Sequence, residues 1–338
     1  MTIRAATGRV RAQARHRTEL RRSDRNLAAV GDHVVPDAPQ EIRLFAKARN
    51  ESTRWPYFFQ HFRSLGVDRF FLVDNGSTDG FVERARAEPD VHVFQTEEDL
   101  RRHPYWFEVL LDRFGLGHWC VAADLDEILI LPGETYRSTN GLHRLASELG
   151  GAGATALDAV LLDMYPPHGV EATGYIPGDD PLSYCDYFDP TVIEQPWRPL
   201  NKRTQRRFDV TRYSGCCRQR VFAVEPNLTK VPFFLHGADS WLSAGAHHLD
   251  GNVMSSARAV MLHFKYLHDF TRRTHDAVDR GVYADAGGIY SAISAALAEN
   301  ESIDLRFDGS RQLADVGVLQ QLDLLREPRA SAVSTPAR

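Results

Sequence analysis

A chain of 338 residues with 43% hydrophobic side chains holds enough apolar material for one large α/β domain or two smaller ones. Its formal net charge of -5 argues against a general nucleic-acid binder. The four cysteines form neither a disulfide framework nor a zinc spacing, and no stretch is long and apolar enough to span a bilayer, so a cytoplasmic protein is expected.

Residues 1–40 form a basic leader, with Arg4, Arg9, Arg11, Arg15, Arg17, Arg21, Arg22 and Arg25 against only Glu19 and Asp24. Lacking an apolar h-region, it is no secretory signal. It reads as a disordered, solvated tail; a peripheral contact with anionic lipid headgroups and an Arg-rich transit peptide are the alternatives.

Glu41 to Ala48 reads as a first strand, followed by a helix whose inner face is Trp55, Phe58, Phe59, Phe62 and Leu65 and which Gly66 ends. Asp68 to Val73 is a second strand, breaking into the polar turn Asp74-Asn75-Gly76-Ser77-Thr78-Asp79-Gly80. Strand, helix, strand predicts a parallel βαβ unit with both strand ends on one sheet edge, where ligands of open α/β sheets bind. Val91 to Phe94 adds a short strand and Tyr105 to Phe114 a helix.

The apolar run His118 to Ala123 then delivers Asp124-Leu125-Asp126-Glu127 from its C-terminal tip, with Ile128 to Gly133 core-like beyond. In an extended Asp-x-Asp both carboxylates share one face, where two oxygen donors can hold Mg²⁺ or Mn²⁺ bridging to a diphosphate. A solvated acidic turn is the competing reading, but apolar sequence on both sides calls for a partner or a metal.

Beyond residue 151 the texture changes. Val160 to Tyr165 reads as a strand, the Pro-, Gly- and Tyr-rich stretch to about Pro199 as long loops, and Arg218 to Val224 as a strand. Ala259 to Leu267 is another apolar stretch, and the chain turns helical after Gly287 before a disordered tail.

Three elements line up: Lys47-Ala48-Arg49-Asn50-Glu51, the Asp74 turn, and Asp124-Leu125-Asp126-Glu127. Together they resemble family 2-like glycosyltransferases of the GT-A fold, closest to the subgroup related to family 92 enzymes. Further landmarks are Ser214 to Phe222, Lys230-Val231-Pro232, Gly245-Ala246-His247 and Leu262-His263-Phe264-Lys265, so the likeness runs over roughly residues 41 to 270.

The resemblance implies a Rossmann-like, mostly parallel sheet flanked by helices. Residues 41–150 would be the nucleotide-sugar-binding half, residues 151–300 a loop-rich acceptor-side half, and residues 301–338 a C-terminal helix and tail. It implies a nucleotide-diphosphate sugar as donor, Mn²⁺ or Mg²⁺ as cofactor, and transfer to a glycan, lipid-linked or protein-linked acceptor. The ion would sit on Asp124 and Asp126 and stabilise the departing phosphate.

In that pattern Lys47, Asn50, Glu51, Asp74, Asn75 and Asp79 read the nucleotide, although an ordinary turn and helix cap would use the same residues of the Asp74 segment. His247, His248 and His263 compete as third metal ligand, His247 first through its Gly-x-His context, since a lone histidine in an apolar run such as His263 is more often core. Asp239 beside Trp241 is the candidate base, with Asp163 and Glu225 as rivals. Arg218, Arg220 and Lys230 could neutralise the diphosphate or form a solvated basic face.

Without membrane segments or a Gln-x-x-Arg-Trp motif, a single-sugar, non-processive transfer is expected; inversion at the anomeric carbon is what the resemblance implies. A sugar-nucleotidyltransferase would carry a Gly-rich phosphate loop after the first strand, which Lys47 to Glu51 lacks. A nucleotide- or carbohydrate-binding protein without turnover is the non-enzymatic alternative.

Overall fold

The computed structural model describes residues 3–31, 34–133, 138–281, 288–299 and 303–328. Helix α1 (Ile3–Asn26) leads into strand β1 (Arg43–Ala48), α2 (Trp55–Leu65), β2 (Arg69–Asp74), β3 (Val91–Gln95), α3 (His103–Phe114), β4 (Trp119–Ala122) and β5 (Glu127–Ile130). There follow β6 (Ala156–Tyr165), β7 (Val192–Trp197), β8 (Val210–Gly215), α4 (Cys216–Phe222), β9 (Thr229–Leu235), β10 (Trp241–Leu242), β11 (Leu249–Asp250), β12 (Met254–His263), α5 (Phe270–Arg280) and α6 (Gly288–Glu299).

The principal sheet runs β3-β2-β1-β4-β9-β6-β12-β5. Its first half is parallel, as the βαβ pattern predicts, with Ala48 opposite Asp74 and Phe45 opposite Ala122. β9 then runs antiparallel to both β4 and β6, β12 parallel to β6, and β5 antiparallel to β12. The fold is thus α/β, a large mixed sheet flanked by helices.

Strands buried on both faces need apolar residues at every position, and period two sends them to opposite cores. Leu44 and Ala46 of β1 pack with Phe58, Phe59 and Phe62 of α2 on one face, while Phe45 packs with Trp106 and Leu110 of α3 on the other. Gly66 closes α2 at φ 102°, a left-handed conformation that a side chain would strain.

Helix α1 corrects the expectation of a disordered leader. His16, Leu20, Ser23 and Leu27 recur at helical spacing, and Leu20 and Leu27 pack into the α3-side core. Three polar contacts fix it: His16 Nε2 with Glu108 Oε1 at 2.9 Å, Ser23 Oγ to Glu98 Oε2 at 2.6 Å, and Arg102 Nη1 to Glu19 Oε2 at 2.5 Å. Glu98 also accepts from Asn26, Arg102 and Trp106 at 2.9, 2.9 and 2.8 Å. Glu98→Ala is therefore expected to lower unfolding stability by about 2–3 kcal/mol, read as a shift of the urea midpoint; an unchanged midpoint would refute this docking.

Two further corrections concern the second half. Most of the expected strand Arg218 to Val224 instead lies in α4 (Cys216–Phe222), because Gly215 at φ 100° turns the chain out of β8. The stretch expected as loop contains β7, whose partner β8 pairs Pro196 with Thr211 in a separate two-stranded arm, where a proline is tolerated. The helix expected after Gly287 is α6; residues 303–328 hold one short helix, Gly317–Gln321, and the expected tail at 329–338 lies outside the described residues. Among the described residues no helix is long and apolar enough to cross a membrane.

Candidate functional site

Parallel β1, β2 and β4 end on the same sheet edge, which brings Lys47, Asp74 and Asp124 together there. The remaining strands add to that edge according to their direction: β9 begins there with Thr229 and Lys230, β6 reaches it at Asp163, β12 ends there at His263, and β5 starts at Glu127. Residues 123–126 link β4 to β5, which lie with β9, β6 and β12 between them. The Asp-x-Asp segment consequently meets Lys230 of β9 and His263 of β12, and reaches Asp163 of β6 through His263.

Asp124 is ion-paired with Lys47 and lies 3.7 Å from Lys230 Nζ, while Lys230 reaches Glu127 Oε1 at 2.6 Å and donates to the Gly245 carbonyl at 2.9 Å. Burial opposes ionisation of Asp124, but the Lys47 and Lys230 charges hold its carboxyl at about 2. Burial likewise pushes Glu127 up, against the pull of Lys230. The Asp124 N–H donates to Glu127 Oε2 at 2.9 Å, closing the turn on itself.

Asp126 stands 3.3 Å from His263 Nε2, and His263 Nδ1 is 2.6 Å from Asp163 Oδ1. Asp163 is fully buried and receives Arg218 through Nε at 2.6 Å and Nη2 at 3.1 Å. Burial disfavours the imidazolium, yet the two flanking carboxylates raise His263 to about 9. His263 is thus no inert core histidine; it is a charged link between Asp126 and Asp163. Its signal was a polar residue interrupting each of two apolar runs, Asp163 in one and His263 in the other, on strands that turn out to be paired.

The nucleotide-reading candidates are held mostly by one another. Asp74 accepts from the N–H groups of Gly76 and Ser77, each at 3.2 Å, and from Gln95 Nε2 at 3.2 Å. Asn75 Nδ2 donates to the carbonyls of Thr96 and Glu98 at 3.0 and 2.9 Å. Asn50 Oδ1 accepts from Thr78 N–H at 2.8 Å, and Asp79 from Ser52 N–H at 2.8 Å and Phe81 N–H at 3.1 Å. These bonds latch the turn after β2 to the loop after β1, the work of turn and cap residues.

Glu51 is buried and clasped by Arg273 at 2.8 and 2.9 Å, while Arg54 grips Asp269 at 2.9 and 2.6 Å. Two guanidinium forks therefore anchor α5 across the site edge. Neither Arg54 nor Arg273 follows from local pattern. Lys265, two residues past His263, makes no hydrogen bond or ion pair among the described residues; its ammonium lies 4.3 Å from the Tyr290 ring centroid, and burial together with Arg218 lowers it to about 8.

The other expected residues fall elsewhere. Asp239 is exposed on a turn after β9, beyond His236, whose N–H bonds the His118 carbonyl at 2.9 Å. That is the start of β4, the opposite end from Asp124, because β9 runs antiparallel. The structure does not bring Asp239 to the site. Glu225 is engaged with Arg212 at 3.1 Å and is 56% exposed, and Arg220 is bound to Asp189 at 3.0 Å. Arg218 faces Asp163, leaving it no free fork for a diphosphate.

His247 donates from Nδ1 to the Thr229 carbonyl at 2.7 Å and contacts neither Asp124 nor Asp126. Among the described residues no group of three His, Cys, Asp or Glu side chains is placed to hold a metal. Asp124 and Asp126, both held ionised, are hard oxygen donors of the kind Mg²⁺ and Mn²⁺ take. What competes with an ion is the ammonium of Lys47 and the imidazolium of His263.

No family model and no curated protein matches this sequence.

Proposed function

We propose that the chain is a glycosyltransferase of the GT-A type that takes a nucleotide-diphosphate sugar at the edge formed by β1, β2, β4 and β9. The observation that carries this reading is the convergence of Lys47 of β1, Asp124 and Asp126 of the β4–β5 link, and Lys230 of β9 at the carboxyl edge of a parallel half-sheet. Lys47 and Asp124 remain 22% and 28% exposed there, open to a ligand, whereas Lys230 and Glu127 are enclosed behind them.

In the proposed reaction the bond between the anomeric carbon and the donor phosphate breaks, a bond to the acceptor oxygen forms, the nucleotide diphosphate leaves, and the acceptor's proton passes to water. Lys47 meets the diphosphate as a charged donor, exchanging its contact with Asp124 for one with phosphate oxygen. Lys230 stays behind Asp124 and keeps that carboxylate ionised. Arg273 and Arg54 fix α5 over the edge. Asp124 and Asp126 would hold Mn²⁺ or Mg²⁺, which when bound stabilises charge on the leaving phosphate.

The test is a panel of uridine and guanosine diphosphate sugars, each with Mn²⁺ or with chelator, scored by melting-temperature shift and by release of nucleotide diphosphate. One donor is expected to do both with the metal. Lys47→Ala, at a partly exposed position, should weaken that donor's binding by about tenfold to a hundredfold and leave the unliganded melting temperature near its original value. A panel without any shift or release overturns the assignment.

A further inference from the structure

A cavity of about 440 Å³ lies between the β7–β8 arm and the β10–β11 ribbon, floored by the first half of β12. That volume is typical of small-molecule sites. It is not the edge described above, but the two adjoin. Thr229 and Val231 line the cavity while Lys230 between them serves Asp124, and His247 lines it two residues after the carbonyl that Lys230 holds.

Its chemistry is opposite to that of the phosphate-binding edge. Asp158, Glu194, Asp209 and Asp250 line it against Arg258 and Arg326. Burial keeps His247 and His248 neutral, at about 3 and about 4. Asp209 is paired with Arg198 at 2.8 Å and Glu194 with Arg258, and Asp158 and Asp250 stand against Arg326, so the formal charge of the lining is a single negative one, which disfavours a diphosphate or an acidic sugar.

The hydrogen-bonding groups are those a polyol needs. His247 gives its Nδ1 proton to Thr229, which leaves Nε2 as an acceptor. His248 has the opposite arrangement: Asn227 Nδ2 lies 3.3 Å from Nε2, so Nδ1 carries the proton. That Nδ1 is buried, on a residue only 6% exposed, and has no partner among the described residues. An unpartnered buried donor is costly unless something completes it. Two adjacent imidazoles thus offer one acceptor and one donor. Asp158 adds a carboxylate held by the Tyr213 hydroxyl at 2.8 Å, and Phe208, packed edge-on against Trp241, supplies an aromatic face.

We propose that this cavity is the acceptor pocket, taking a saccharide that is uncharged or amine-bearing and rejecting one that carries carboxylates. The assignment of the bound sugar as acceptor rests on the glycosyltransferase reading above; the saccharide site itself does not.

Saturation-transfer NMR on the full chain tests it with three disaccharides of similar size: N,N′-diacetylchitobiose, chitobiose with free amines, and digalacturonic acid. The first two are expected to bind and the third not. Phe208→Ala and His248→Ala should each weaken the binding at least tenfold while the donor-induced melting shift is kept. Failure of both neutral and amine-bearing probes, equal binding of digalacturonic acid, or full binding in both variants overturns the pocket. A retained donor shift in that case confines the failure to the pocket. Saccharide binding that obeys these rules beside a silent donor panel upholds the site and removes the donor reading instead.

Discussion

In metal-free buffer, His263→Gln should flatten the fall in stability that the parent protein shows between about pH 6.5 and pH 9. The imidazole is raised from 6.5 to about 9 by Asp126 and Asp163. A group whose folded value is raised contributes stability that is complete below its unfolded value and is lost as pH climbs through the folded one. The full difference amounts to about 3 kcal/mol at 1.36 kcal/mol per pH unit. Lys265, lowered from 10.5 to about 8, acts with the opposite sign from about pH 8 upward, but it is present in both proteins and cancels in the comparison. Urea unfolding of parent and variant at pH 6, 7.5 and 9 reads the effect. The gap between them should be largest at pH 6; parallel curves would mean that His263 is not the charged link between the two carboxylates.

Lys230→Met is expected to be the most destabilising single change at the site. The ammonium is 3% exposed and faces Glu127, itself 2% exposed, so the variant leaves a carboxylate enclosed without its cation. Removing one partner of a buried pair costs about 3–5 kcal/mol. The loss has a pH signature. Glu127 is already pushed up by burial and rises further without Lys230, so stability is recovered as pH falls and the carboxyl takes up a proton. Adding Glu127→Gln to the variant should restore part of the loss by removing the stranded charge. Denaturation midpoints of the two variants that coincide would show that the pair is not coupled in this way.

Much of the parallel half was legible because its signals are local. Apolar runs, the Phe58, Phe59 and Phe62 spacing and Gly66 mark β1, α2 and β2, and parallel pairing then places Lys47, Asp74 and Asp124 on one edge. The docked face of α1 was obscured by arginines around His16, Leu20, Ser23 and Leu27. Partners distant in sequence left no local trace: Arg273 meets Glu51 across 222 residues. Asp239 was attractive for its neighbour Trp241, but only the direction of β9 decides which end of the sheet it reaches. His263 looked like a core residue because its two carboxylates come from elsewhere in the chain, one on β6 and one after β4.

The short link from β4 to β5 has a consequence for how the protein comes into being. β5 is made early but, among the described residues, pairs only with β12, whose last residue, His263, emerges more than a hundred residues after Ile130. During synthesis the Asp124–Asp126 segment therefore waits without its neighbours, and contacts of such separation are slow to form. A chain stopped near residue 150 would lack β9 and β12, which carry the Lys230 and His263 partners of Asp124 and Asp126, and β6 between them. The first half is thus no independent folding unit, and the charged edge is completed only once nearly the whole polypeptide is present.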